Sequence, residues 1–119
     1  MIKLNEEQCQ AALNNGDFDA SLISGSASAI ILTQSWCPQW AAMKTFIPEL
    51  EDEYKDLRIY YVEYDIETWN TLKNEDFMAF KENKFGSREI PYVRYYQNGK
   101  YLRDGNFISK EGFKSRLGL

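Results

Sequence analysis

Ala29-Ile30-Ile31-Leu32-Thr33-Gln34-Ser35-Trp36-Cys37-Pro38-Gln39-Trp40 is the stretch on which the reading of this chain turns. From Ala29 to Thr33 it is a short, continuous, largely apolar run with β-branching, which predicts a strand covered on both faces. Pro38 suits the first turn of a helix, where its missing N–H costs no hydrogen bond. Trp40, Met43, Phe46, Ile47 and Leu50 then recur at helical spacing, with Tyr54 one turn on. Pro48 falls inside that pattern and should kink or divide the helix. Cys37 therefore sits where a strand hands over to a helix. Three residues later, where a second cysteine would complete Cys-x-x-Cys, stands Trp40.

On the N-terminal side, Asn5 with Gln8 forms a capping-box-like helix start. The helix then runs over Glu6–Leu13 and stops at Asn14-Asn15-Gly16. Cys9 lies inside it and reads as a small buried residue. Ser24-Gly25-Ser26 is a loop. On the C-terminal side, Arg58–Tyr64 reads as a strand ending at Asp65. Glu67–Lys84 reads as one helix carrying Phe77, Phe80 and Lys81-Glu82, stopped at Gly86. Ile90-Pro91 precedes a strand over Tyr92–Tyr96. Asn98-Gly99 is a strong hairpin signal, and Tyr101-Leu102-Arg103 resumes as a strand. Ser109 caps a final helix through Leu117, weakened by Gly112. Strands separated by helices and then a hairpin imply an α/β protein, a central mixed β-sheet flanked by helices on both faces. Residues 1–119 make a single domain, with no repeat or linker.

The composition narrows the chemistry. A net charge of −4 without a basic stripe argues against nucleic acid and anionic membrane as partners. Met1–Gln8 contains no apolar core of a secretory signal, and no apolar run approaches the ~20 residues of a spanning helix. A cytoplasmic monomer without a membrane partner is the expectation. The chain has no histidine, which removes Cys-His and Ser-His-Asp nucleophiles and His-containing zinc sites. Two cysteines make neither a disulfide framework nor a thiolate-only tetrahedral metal site. No Gly-rich phosphate loop occurs. Neither metal nor cofactor is expected, and few chemistries remain besides those of a thiol.

Taken together, the strand into Trp36-Cys37, the strand ending at Asp65, Ile90-Pro91, the Asn98-Gly99 turn, and Gly105 with Ser109-Lys110 resemble the thioredoxin family. The resemblance spans roughly residues 25–117. It implies a thioredoxin fold, with the Ile90–Pro91 bond cis and facing Cys37, so that the Ile90 backbone is offered to an extended substrate. The departures form a set. Trp40 replaces the family's second cysteine, Ile31 its buried acid, and Tyr61 the lysine that neighbours that acid. The relay that serves the second cysteine is thus missing along with it. Between Asp65 and Pro91 the chain runs about ten residues longer than the family norm, an extension a helix could absorb.

By this resemblance Cys37 is the nucleophile, and Trp36, Pro38, Trp40, Ile90 and Pro91 are the substrate-binding residues. The helix start favours the thiolate form of Cys37, while burial between Trp36 and Trp40 would oppose it. Trp40 has two readings, a filler behind the helix start or a groove residue that stacks on substrate. Glu63 and Arg94 fall on strands, where a salt bridge or a partly solvated face accounts for them; proton handling by Glu63 is the other reading. The expected function is thiol–disulfide exchange by a monothiol mechanism on protein or glutathione-type mixed disulfides, serving cell redox homeostasis. Release then needs a second thiol, from glutathione, another small thiol, the substrate or Cys9. The alternative is a redox-inactive module that holds a polypeptide in the Cys37/Pro91 groove. A monothiol glutaredoxin carrying an iron–sulfur cluster would resemble Cys-Gly-Phe-Ser at the helix start and Gly-Gly after the hairpin, and neither occurs.

Overall fold

The computed structural model describes residues 1–119. Along the chain run β1 (Ile2–Lys3), α1 (Glu6–Asn15), a 3-10 turn (Ala20–Leu22), β2 (Ala27–Thr33), α2 (Pro38–Lys44) and α3 (Ile47–Glu53). They are followed by β3 (Leu57–Glu63), α4 (Asn74–Lys84), β4 (Tyr92–Gln97), β5 (Lys100–Gly105) and α5 (Lys110–Leu117). The strands form one five-stranded sheet in the order β1-β3-β2-β4-β5. β3 lies parallel to β1 and β2, whereas β4 is antiparallel to β2 and β5. The sheet is mixed, as the pattern of elements predicts.

β2 is the middle strand, and every one of its residues is buried. Alternation along it divides the core into two layers. Ala27, Ala29 and Ile31 pack with Trp40, Met43, Ile47, Leu50, Phe113 and Leu117 of α2, α3 and α5. Ile30 and Leu32 pack on the other side with Cys9 and Ala12 of α1 and Phe77 of α4. Helices thus cover both faces, and no helix is long and apolar enough to cross a membrane.

Local signals act where the sequence puts them. Asn5 Oδ1 accepts from Gln8 N at 2.8 Å while Asn5 N donates to Gln8 Oε1 at 2.9 Å, closing the capping box of α1. Asn98 and Gly99 take φ of 52° and 79°, the left-handed pair that the tight β4–β5 hairpin requires. Pro48 does divide its helix: α2 ends at Lys44, and α3 opens with the proline in its first turn. Gly112 has a packing reason, since a Cβ there would lie 2.4 Å from Ile108 Cγ1.

Two elements depart most from expectation, the other bounds moving by no more than about two residues. β1 was not legible, because two residues carry no period; it forms by pairing with Tyr60 and Tyr61. The helix expected from Glu67 begins only at Asn74. The preceding residues are held as a loop by other partners. The Glu6 carboxylate accepts the backbone N–H groups of Asn70, Thr71 and Leu72 at 3.0, 2.7 and 2.8 Å. Asn74 Nδ2 donates to the carbonyls of Tyr64 and Glu67. The extra length between Asp65 and Pro91 is therefore partly an ordered loop packed on α1, not helix alone.

Candidate active site

Cys37 is the N-cap of α2, with Ala41 N donating to its carbonyl at 3.1 Å and no capping bond from its own side chain. The turn that delivers it is fastened from β3's end. Asp65 Oδ1 accepts Ser35 N at 2.8 Å, and Asp65 Oδ2 accepts Ser35 Oγ at 2.6 Å. Trp36 stands out at 66% exposure, its Nε1 donating to Gln34 Oε1 at 2.6 Å. Gln34 in turn donates to the Tyr64 hydroxyl at 3.2 Å. Cys37 itself is 4% exposed, with Sγ 3.8 Å from the Ile90 carbonyl oxygen. The Ile90–Pro91 bond is cis. Pro38 is exposed, Ile90 half-buried and Pro91 buried. Cys37, its neighbours Trp36 and Pro38, and the Ile90-Pro91 pair thus meet at one end of the sheet.

Trp40, the remaining residue assigned to a groove, lies elsewhere. It is wholly buried and presents no surface to a ligand, which corrects the groove reading and leaves the packing one. Its Nε1 donates to Glu63 Oε2 at 2.9 Å, and its ring centroid is 5.8 Å from that of Tyr61. Lys44 Nζ lies 3.6 Å from the same Glu63 oxygen and 5.6 Å above the indole ring. Tyr61 is the register partner of Ile31 on the neighbouring strand. The three positions that depart from the thioredoxin pattern are therefore spatial neighbours, joined as one packed apolar unit. Glu63 anchors the indole. Arg94 is 8% exposed, sandwiched between the rings of Phe85 and Tyr101 at 4.0 and 4.3 Å. It donates to the hydroxyls of Tyr96 and Tyr92 at 2.9 and 3.0 Å and pairs with Asp17 at 3.6 Å. Its charge is satisfied without any part in the Cys37 site.

No protein-family model and no curated protein matches the sequence. Among solved structures, mitochondrial thioredoxin 3 from Saccharomyces cerevisiae superposes with a TM-score of 0.67 at 13% identity, over 99% of this chain and 93% of the other. Thioredoxin O1 from Arabidopsis thaliana gives 0.65 at 17% identity, covering 96% and 91%. Fasciola hepatica thioredoxin gives 0.65 at 14% identity, covering 99% and 97%. The chain has the thioredoxin fold.

Within this thioredoxin fold the two cysteines lie in opposite layers of the core, with the sheet between them, and both are free. Cys9 is fully buried, and burial, aided by Glu67 and Glu6, pushes its thiol up to about 12. It has neither the access nor the charge state to attack a bond at Cys37. No group of three or more acidic or cysteine side chains is arranged to hold a metal ion.

The structure also brings in residues that sequence reasoning passed over. Asp65 marked only a strand end, yet it fixes the turn before Cys37. Lys81 and Asn106 bond to the carbonyls of Glu89 and Pro91, on either side of Ile90. The one signal for Lys81 is its i, i+4 spacing from buried Phe77, which puts it on the inner face of α4.

Proposed function

We propose that this thioredoxin-fold protein is a thiol–disulfide oxidoreductase working through one thiol, Cys37, on protein or glutathione-type mixed disulfides. The observation that carries the reading is the pairing of Cys37 Sγ with the Ile90 carbonyl at 3.8 Å, while the other thiol lies across the sheet. The Cys37 thiolate attacks one sulfur of a disulfide RS–SR′. A bond forms from Sγ to that sulfur, the old S–S bond breaks, and the departing thiolate takes a proton from solvent. Protein and substrate are then joined as a mixed disulfide.

Trp40 in place of a second cysteine, and Cys9 out of reach, support resolution from outside. A small thiol such as glutathione attacks the mixed disulfide, regenerates the Cys37 thiolate and carries the other sulfur away as its own disulfide. The external thiol is oxidised and the original disulfide reduced. Trp36, Pro38, Ile90 and Pro91 form the groove in this scheme, with the Ile90 backbone pairing to an extended segment. Two free cysteines suit a reducing compartment such as the cytoplasm.

The test is reduction of a glutathionylated peptide in a Cys9→Ser background, with and without added glutathione. Turnover that requires glutathione and vanishes in Cys37→Ser is the expected result. A protein that binds the peptide equally well in the Cys37→Ser form, with no reduction under any condition, would instead be a redox-inactive polypeptide-binding module.

A further inference from the structure

Three successive carbonyls of the segment facing Cys37 are each taken by a side chain from a different part of the fold. Lys81 Nζ, on α4, donates to Glu89 O at 3.0 Å. Cys37 Sγ lies 3.8 Å from Ile90 O. Asn106 Nδ2, between β5 and α5, donates to Pro91 O at 3.1 Å. Ser87 adds a local brace: its Oγ lies 3.4 Å from Glu89 O and 3.3 Å from Asn106 Nδ2. The carbonyls of Glu89 and Pro91, the residues on either side of Ile90, are thus held from outside the segment.

Lys81 is an unusual residue for that task. It is fully buried, its one hydrogen-bond acceptor is the neutral Glu89 carbonyl, and none of the ion pairs includes it. An ammonium has three donors and a large hydration free energy to give up, so this setting is unfavourable. Burial accordingly holds the Lys81 amine below the ordinary lysine range, with Glu82 opposing only in part. A methionine has a similar reach and would fill the same space without that penalty. A buried charge that opposes stability and points at one backbone oxygen is better explained by where it holds that oxygen than by packing.

We infer that Lys81 and Asn106 are positioning residues for the Cys37 site: by gripping Glu89 O and Pro91 O they set the Ile90 backbone against the thiol, so that an extended disulfide-bearing polypeptide docks in register with Sγ. This role rests on Cys37 reacting with disulfides, as proposed. It separates two reactions of the same sulfur. A small neutral alkylating agent needs only access to Sγ. A peptide disulfide also needs the Ile90 backbone in place.

The experiment uses the full chain in a Cys9→Ser background and compares two rates, alkylation by iodoacetamide and exchange with an extended glutathionylated peptide. Lys81→Met should fold with thermal stability equal to or above its parent, since a buried charge is lost. Its alkylation rate should stay within about twofold, while peptide exchange falls about tenfold or more, as misplacement of a reacting partner does. Lys81→Arg, which keeps N–H donors, should recover most of the exchange rate. Asn106→Ala removes the second grip, and it should show the same split between the two rates; it also carries the test should Lys81→Met not fold. Exchange unchanged in both Lys81→Met and Asn106→Ala overturns the positioning role and leaves the monothiol reading intact. Equal loss of both rates overturns it too, because the substitution then acts on the thiol itself. A parent protein that exchanges with no disulfide overturns both readings together.

Discussion

The indole N–H of Trp40, on the first turn of α2, donates to the Glu63 carboxylate of β3 at 2.9 Å. That bond converts what would be a lone buried donor into a satisfied one and locks the helix to the sheet. It also fills the position of the missing cysteine with a side chain that neither reacts nor yields. The site is organised behind Cys37 as a packed wall.

Trp40→Ala should cost about 3–5 kcal/mol of stability, the range for deleting a large buried aromatic. Trp40→Phe should cost less, about 1–3 kcal/mol, because it keeps most of the packing and loses one hydrogen bond while Glu63 stays paired with Lys44. Urea denaturation of both variants checks the ranking. If Trp40→Phe proves as damaging as Trp40→Ala, the hydrogen bond and not the packing dominates.

Thiol modification should proceed in two distinct stages. Native protein treated with excess iodoacetamide near neutral pH should gain one adduct, at Cys37, read by mass spectrometry of the digest. Cys9 is wholly buried, with its thiol raised to about 12, and should react only after unfolding. Cys37→Ser should therefore take up no adduct on the native timescale. Rapid labelling of Cys9 in that variant would contradict its placement.

Tyr95 offers a stability gain. Its hydroxyl is buried with no hydrogen-bond partner, whereas its ring packs on Phe113 at 5.3 Å. Tyr95→Phe keeps the ring and removes the unsatisfied group, so stability should rise by about 1 kcal/mol. A fall of similar size in the denaturation midpoint would mean that the hydroxyl has a partner, such as a buried water.

Alkaline pH should unfold the chain sharply. Burial raises the thiol of Cys9 and the phenol of Tyr96 to about 12, and it raises the phenols of Tyr92, Tyr95 and Tyr64 in the same direction. Their ordinary values are 9.0 for the thiol and 10.0 for the phenols. The folded chain therefore holds protons that the unfolded chain releases. Stability is fully present below the ordinary values and is lost as pH climbs through the raised ones. Tyrosinate absorbance should appear together with loss of circular dichroism; phenols that ionise at their ordinary value in an intact fold would contradict the burial.

The acid side has the opposite sign. Three backbone N–H groups, those of Leu72, Thr71 and Asn70, hold the Glu6 carboxyl below its usual range. The contribution of Glu6 is present above the unfolded value and disappears as pH falls through the depressed one. Glu6→Gln should lower the melting temperature at neutral pH and shrink that difference in acid. Amide exchange at Asn70, Thr71 and Leu72 should accelerate in the variant. Protection unchanged at all three would show that the loop is held by other contacts.

Legibility in the sequence followed the range of each interaction. The capping box at Asn5 and Gln8 and the Asn98-Gly99 turn are interactions within a few residues, and the apolar run Ala29–Thr33 carries its burial in residue type; these elements formed where those residues stand. Glu67–Lys73 carries no strong local breaker, so a helix was the natural expectation there. Its backbone donors instead find Glu6, far upstream. Nothing local to Lys81 shows its acceptor, since Glu89 lies beyond the helix and is brought back only by the turn that follows.

What the chain's sequence determined by itself was the order of its main elements, β1 excepted, the placement of Cys37 at a strand–helix junction, and the joint replacement represented by Ile31, Trp40 and Tyr61. Spacing, turn chemistry and residue type suffice for such statements. Tertiary structure alone decided that those three residues touch, that Trp40 is buried under Glu63 and not open to a groove, and that Cys9 lies across the sheet from Cys37. It also decided that Lys81, Cys37 and Asn106 converge on three consecutive carbonyls. The physical reason is that strand pairing and two-layer packing join residues dozens of positions apart, and no local spacing records those partners.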